Sequence, residues 1–184
     1  RGYFSYDRFH RAPDVYTDAS KSASYAGGAY VSRCGRFRFW RYGGSAARNP
    51  TDYLEGDSVV VAVADLGHLW KQRLVRSFVD TQAFERSAVT GWSRAARLAL
   101  LVRRLFELSL RFACIIEYEW LPSAENMFAD ALSRPDGLAR FHSLVREYGF
   151  HLEKGADGVA SELQPHPSNG SIRRFGRAFS SDEA

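Results

Sequence analysis

Four carboxylates in this 184-residue sequence fall where side chains can converge. Asp18 lies at the end of the β-forming run Val15-Tyr16-Thr17, and Asp80 ends a second run, Leu74-Val75-Arg76-Ser77-Phe78-Val79. Glu55 stands four residues before Val59 and so begins the apolar stripe of a long segment with helical period. Asp130 lies one turn after Asn126, inside a compact segment between Pro122 and Pro135. Carboxylates that face a core need a charge partner, since burying each alone costs on the order of several kcal/mol. If the four cluster, their mutual repulsion raises their pKa values unless divalent cations hold them ionised. Hard oxygen ligands select Mg²⁺ or Mn²⁺ over Zn²⁺. Two such ions roughly 4 Å apart activate a water and stabilise the leaving oxygen in phosphodiester hydrolysis.

Each acid also has an ordinary explanation when taken singly. Asp18 and Asp80 suit turns after strands, Glu55 suits a capping box begun by Asp52, and Asp130 suits a solvated helix face. The joint pattern is harder to collect by accident: two strand ends, one helix start and one helix interior.

The elements that must position these acids follow from periodicity. A first strand is predicted to end near Asp18, with Gly27–Ser32 as a second strand. Cys34-Gly35 makes a turn into Arg36-Phe37-Arg38-Phe39-Trp40-Arg41, where charged and aromatic residues alternate as in a half-buried hairpin strand. A Gly-containing loop from Gly43 to Thr51 leads into a helix expected over about Tyr53–Trp70, with Val59, Ala62, Val63, Leu66 and Trp70 on one stripe. After the strand ending at Asp80 come a short helix over Thr81–Ala88, a break at Gly91-Trp92-Ser93, and a long amphipathic helix over Arg94–Phe112. Cys114–Leu121 reads as the last strand, halted by Pro122. Ser123 is expected to cap a helix over Ala124–Ser133. Three strands, helix, strand, helices, strand and helix imply an α/β protein with a mixed sheet and helices packed on it.

Composition bounds the rest. Hydrophobic residues make up 45% of the chain and aromatics 14%, enough for a real core and too much for wholesale disorder. The longest apolar run, Val59–Ala64, falls far below the roughly 18 residues of a membrane span, so no membrane partner is expected. Two cysteines, Cys34 and Cys114, make neither a disulfide scaffold nor a zinc site, which points to a reducing, intracellular setting with cytoplasm and nucleus unresolved. The formal charge of +4 permits a polyanionic partner without demanding one. The chain begins at Arg1 and its single Met is Met127, so it reads as a piece of a longer polypeptide.

Several stretches resemble the ribonuclease H domain that follows reverse transcriptase in retroelements, of the DIRS and gypsy types. They are Val15-Tyr16-Thr17-Asp18-Ala19-Ser20, Leu54-Glu55-Gly56, Phe78-Val79-Asp80-Thr81 and, most specifically, Trp120-Leu121-Pro122-Ser123-Ala124-Glu125-Asn126-Met127-Phe128-Ala129-Asp130-Ala131-Leu132-Ser133-Arg134. The resemblance covers about residues 13–136. It implies a ribonuclease H-like fold, a five-stranded mixed sheet with helices on both faces. It also implies that Asp18, Glu55, Asp80 and Asp130 are catalytic acids binding two Mg²⁺ ions, with Mn²⁺ as an alternative. The implied activity is endonucleolytic cleavage of the RNA strand of RNA–DNA hybrids. A metal-activated water is the implied nucleophile, and a reverse transcriptase domain the covalent or neighbouring partner. The chain departs from the family pattern in having no His between Pro122 and Glu125, Thr81 where an Asn often follows the third acid, and Gly56 within the first helix.

Around that domain the sequence predicts a lead-in over residues 1–12, an amphipathic accessory helix over 137–150 carrying Leu138, Phe141, Val145 and Tyr148, and a Gly/Ser/Pro-rich tail over 151–184. Candidate phosphate contacts are Arg36, Arg38 and Arg41 on one hairpin face, with Arg94, Arg97, Arg103 and Arg104 on the long helix. Solvation of a sheet face and a helix face explains them equally well. Trp40, Trp92 and Trp120 are expected in the core, Cys114 as a buried apolar residue, and His142, His151 and His166 at the surface. Two other classes compete: a catalytically degenerate module that binds nucleic acid or braces a polymerase, and another polynucleotidyl transferase such as an integrase or resolvase. The run from Asn126 to Arg134 favours ribonuclease H over the latter.

Overall fold

The computed structural model describes residues 10–153. Its strands are β1 (His10–Arg11), β2 (Val15–Lys21), β3 (Ala26–Ser32), β4 (Phe37–Arg41), β5 (Arg73–Val79) and β6 (Ile115–Trp120). Its helices are α1 (Thr51–Leu66), α2 (Gln82–Thr90), α3 (Ala96–Phe112), α4 (Met127–Ser133) and α5 (Gly137–Glu147). The β2–β3–β4 meander is antiparallel, while β2, β5 and β6 run parallel. Along β5, Leu74 has Arg11 on one side and Ile115 on the other, and Ser77 has Val15 and Tyr118. The two-residue β1 therefore continues the edge that β2 occupies, and the mixed sheet is five strands wide.

Strand parity divides the core between the two faces of the sheet. Val15 and Ala19 point toward α1, α2 and α3, meeting Leu54, Val59, Phe84, Leu98 and Leu101. Tyr16, between them in parity, points the other way and joins Phe78, Phe128 and Phe141 beneath α4 and α5. The accessory helix thus carries core: Phe141 is fully buried, with ring centroids 4.7 Å from Phe37 and 6.1 Å from Phe128.

The helix expected over Tyr53–Trp70 begins two residues earlier and gives way at Gly67 to a 3-10 turn. Pro50 holds its N-cap position, so Asp52 and Glu55 form no capping box; the Asp52 carboxylate accepts from the next backbone N–H and pairs with Arg97. Buried residues run without interruption from Leu54 to Val63, because the sheet covers one side of α1 and α2 and α3 cover the other. A helix enclosed all round needs no polar stripe. Gly56 is part of that enclosure. A Cβ there would run into the Phe84 ring and lie 2.7 Å from Leu101 Cδ1, so the helix propensity lost at this glycine is exchanged for close approach of α2 and α3.

Other expectations are corrected. The long helix starts at Ala96 instead of Arg94, with the Ser93 hydroxyl accepting from the Ala95 N–H. Ser123 caps no helix; residues Ser123–Glu125 form a 3-10 turn and α4 begins at Met127. Trp40 is buried, but Trp92 is 63% exposed and Trp120 half-buried. Arg41 does not share a face with Arg36 and Arg38, since Trp40 takes the position that strict alternation assigned to a charge. Arg38 pairs with Asp65 of α1, whereas the Arg41 guanidinium lies over the Tyr25 ring. The first residues of the expected tail are tied to the β3–β4 turn: the Glu153 N–H donates to the Gly35 carbonyl and its carboxylate pairs with Arg36. Residues 1–9 and 154–184, including His166, lie outside the described residues.

Candidate metal centre

The two central parallel strands, β2 and β5, leave their shared edge in opposite directions. β2 turns back through a hairpin into β3, whereas β5 passes through α2 and α3 to reach β6 on its other side. Their pairing ends at Tyr16–Phe78, and Asp18 and Asp80 stand just beyond it. A crevice opens at the carboxyl ends of strands where connections diverge in this way. Glu55, on the first turns of α1, enters the crevice from the side: the Ser58 hydroxyl one turn later reaches the Asp18 carbonyl at 3.4 Å. One carboxylate oxygen from each of Asp18, Glu55 and Asp80 lies within 4.8 Å of the others.

Asp18 and Glu55 are buried at 4% and 3% exposure, while Asp80 is half-buried. Both oxygens of Asp18 are engaged: Oδ1 accepts from Asn126 Nδ2 at 3.0 Å, and Oδ2 from the Ser133 hydroxyl. Glu55 keeps a buried oxygen, Oε2, with no hydrogen-bond partner among the described residues. Asp80 accepts from the Ser123 hydroxyl, and its backbone carbonyl accepts from the Trp120 indole N–H at 2.9 Å. Burial pushes the Asp18 carboxyl up to about 7; the Ser133 bond opposes this, and the charges of Asp80 and Asp130 add to it. Glu55 is raised well above its ordinary value, first by burial and then by the charges of Asp18 and Asp80. Asp80 is raised by burial, with the Ser123 bond opposing. Carboxyls this close repel one another when ionised, so each favours its neutral form more than an isolated carboxyl does unless a cation offsets the charge.

Asp130, the fourth acid expected here, does not join the group. Its Oδ1 accepts from Arg134 Nε at 2.9 Å in an i,i+4 pair that also engages the second guanidinium nitrogen. Its charge nevertheless bears on both Asp18 and Asp80. The structure thus converges three of the four predicted acids and leaves the fourth at the rim beside an arginine.

Sequence reasoning missed the residues that hold these acids. Ser133 and Asn126 lie seven positions apart with Asp130 between, a spacing that puts all three on one helical face, so the signal was present. Ser123 carried no such signal, its partner being 43 positions away. Asp57 was also missed: it is 3% exposed, its Oδ1 has no hydrogen-bond partner among the described residues, and burial raises it to about 8 against the opposing charge of Arg104. It lies outside the converging group.

The donor set consists of carboxylate oxygens alone, which suits a hard divalent cation, and the unpartnered Glu55 Oε2 is the kind of atom such an ion would satisfy. No protein-family model matches the sequence, and no curated protein does. Solved structures do resemble the fold. Ribonuclease H1 from the halophilic archaeon Halobacterium salinarum NRC-1 superposes with a TM-score of 0.55 at 20% identity, over 65% of this chain and 92% of that one. The N-terminal ribonuclease H domain of a Mycobacterium tuberculosis protein, solved fused to maltose-binding protein, gives a TM-score of 0.56 at 18% identity over 73% and 99%.

Proposed function

With a ribonuclease H-like α/β fold as the premise, we propose that this chain is a metal-dependent endonuclease that hydrolyses the RNA strand of RNA–DNA hybrids, and that it works beside a retroelement reverse transcriptase. The observation that carries the proposal is the convergence of Asp18, Glu55 and Asp80 within 4.8 Å at the ends of two parallel strands. The sequence run from Trp120 to Arg134 supports the retroelement context.

Asp18, Glu55 and Asp80 would hold divalent cations, Mg²⁺ or Mn²⁺, with Asp130 joining if Arg134 releases it. Such ions lower the pKa of a water and stabilise charge on the leaving oxygen of a phosphodiester. The chain's own residues set the stage for that chemistry. Asn126 and Ser133 fix the Asp18 carboxylate, and the Ser123 hydroxyl orients Asp80 at the open side of the crevice. The burial of Glu55 keeps competing water from its unpartnered oxygen. Phosphate contacts fall to arginines whose present partners lie at the surface, such as Arg97 beside Asp52 near the start of α1.

The test is cleavage of a strand-labelled RNA–DNA hybrid with Mg²⁺ or EDTA, alongside Asp80→Asn. Metal-dependent cutting of the RNA strand that the variant loses supports the proposal. Hybrid binding without cutting turns the assignment to a non-catalytic binding module. No helix among the described residues is long and apolar enough to cross a membrane.

A further inference from the structure

Helix α4 has seven residues, and its two ends meet the same carboxylate. Asn126 precedes its first residue and Ser133 is its last, both with no solvent exposure. The Asn126 side chain makes no cap bond to the helix; its Nδ2 donates to Asp18 Oδ1 at 3.0 Å, and the Ser133 hydroxyl donates to Oδ2. The Ser133 backbone is held in turn, because the Ser20 hydroxyl of β2, two residues beyond Asp18 on the same side of the strand, donates to the Ser133 carbonyl at 2.5 Å. The Ser133 hydroxyl has one proton and a second acceptor in reach, the Asp130 carbonyl at 3.1 Å. A charged acceptor takes such a proton in preference to a neutral one.

Both donors to Asp18 are neutral. Arg134 beside Asp130 cancels a charge, but an amide and a hydroxyl leave the Asp18 charge intact, and each oxygen keeps a lone pair for a cation. Glu55 receives no such support at Oε2. Asp18 is therefore held at both oxygens before any ion arrives, and that hold comes from the two ends of α4.

We propose that Ser133 and Asn126 are positioning residues that orient Asp18 for a divalent cation, a role that rests on the metal-dependent reading above. Loss of a group that orients a metal ligand weakens binding by about 10- to 100-fold. The test uses Mn²⁺ as the probe, titrated into the 184-residue chain by calorimetry and by the loss of free-ion electron paramagnetic resonance signal. Thermal unfolding in EDTA is followed in parallel. Ser133→Ala is expected to bind Mn²⁺ about 10-fold or more weakly. Ser133→Cys, close in size but a weaker donor, is expected to fall between Ala and the native residue. Asn126→Leu, which keeps the volume and loses the amide, is expected to weaken binding comparably.

A native-like Mn²⁺ affinity in Ser133→Ala overturns the inference, as does an order that follows side-chain size instead of donor strength. An affinity loss that merely tracks the melting temperature in EDTA also overturns it, since that marks a packing role. If the native chain itself binds no Mn²⁺, the metal reading falls and this inference falls with it. Native binding with unchanged variants removes the inference alone.

Discussion

Glu55 and Asp57 sit two residues apart on α1, each 3% exposed, each with one buried oxygen lacking a hydrogen-bond partner, and each raised by burial. They differ in what they face. Glu55 meets two other carboxyls at the ends of parallel strands, whereas Asp57 feels the opposite charge of Arg104. Burial and a raised pKa therefore do not mark a site by themselves, because structural acids acquire both. Convergence of like charges is a sharper mark, since three carboxyls within 4.8 Å repel one another unless protons or a cation relieve them.

The largest effect that could break this comparison is catalytic. Asp80→Asn or Glu55→Gln should lower hybrid cleavage by about a thousandfold, the several kcal/mol that a metal ligand set supplies. Asp57→Asn should leave cleavage within about twofold. Equal losses at Glu55 and Asp57 would erase the distinction.

A second effect is read as melting temperature. Asp18 and Asp57 are raised from 3.8 to about 7 and about 8, so the folded chain binds these protons more tightly than the unfolded chain does. Their contribution is complete below the unfolded value and is lost as pH rises through about 7 and 8, so the melting temperature in EDTA should fall over that window. Mg²⁺ at about a hundred times its dissociation constant should restore about 2.7 kcal/mol, or roughly 5–10 °C, by holding the cluster ionised. Asp57→Leu should leave the Mg²⁺ response intact, and Glu55→Gln should abolish it. A pH-independent melting temperature would contradict the raised carboxyls.

Smaller still is the direct stability change at Asp57. Replacing a buried, unsatisfied carboxyl by an apolar side chain of similar volume should stabilise the chain by about 1 kcal/mol, measured by urea unfolding at pH 8. Asp130 stands between the two cases, near the centre but paired with an arginine that is 54% exposed. Arg134→Gln should change stability by less than about 1 kcal/mol, as for other surface ion pairs. The same variant should tighten a second Mn²⁺ equivalent, because Asp130 is then free to join; an unchanged second equivalent would place Asp130 outside the centre.

Much of this was legible in the chain. The strand ends at Asp18 and Asp80 could be read because a β-forming run stops at each acid, and Glu55 because the helical period put it one turn before Val59. Trp92 was misplaced because aromatic content alone predicts burial, while its position in the open connection between α2 and α3 leaves it exposed. The capping box at Asp52 and Glu55 matched a local rule that failed because Pro50 takes the N-cap position and leaves Asp52 inside the helix. Ser123 failed likewise, its hydroxyl going to Asp80.

Element order, strand parity and the distribution of aromatics between the two faces are properties of neighbours in the chain, carried by periods of 2 and 3.6 that a sequence displays directly. Those periods determined that Asp18, Glu55 and Asp80 would face inward. Which acids meet, and what holds them, depends on contacts across 108 and 115 positions, such as Asn126 and Ser133 with Asp18. No local period encodes such distances. Only the packing of α4 against β2 decided that Asp18 would be held at both oxygens, whereas the Asp130–Arg134 pair is an i,i+4 contact of the kind that a helical period does encode.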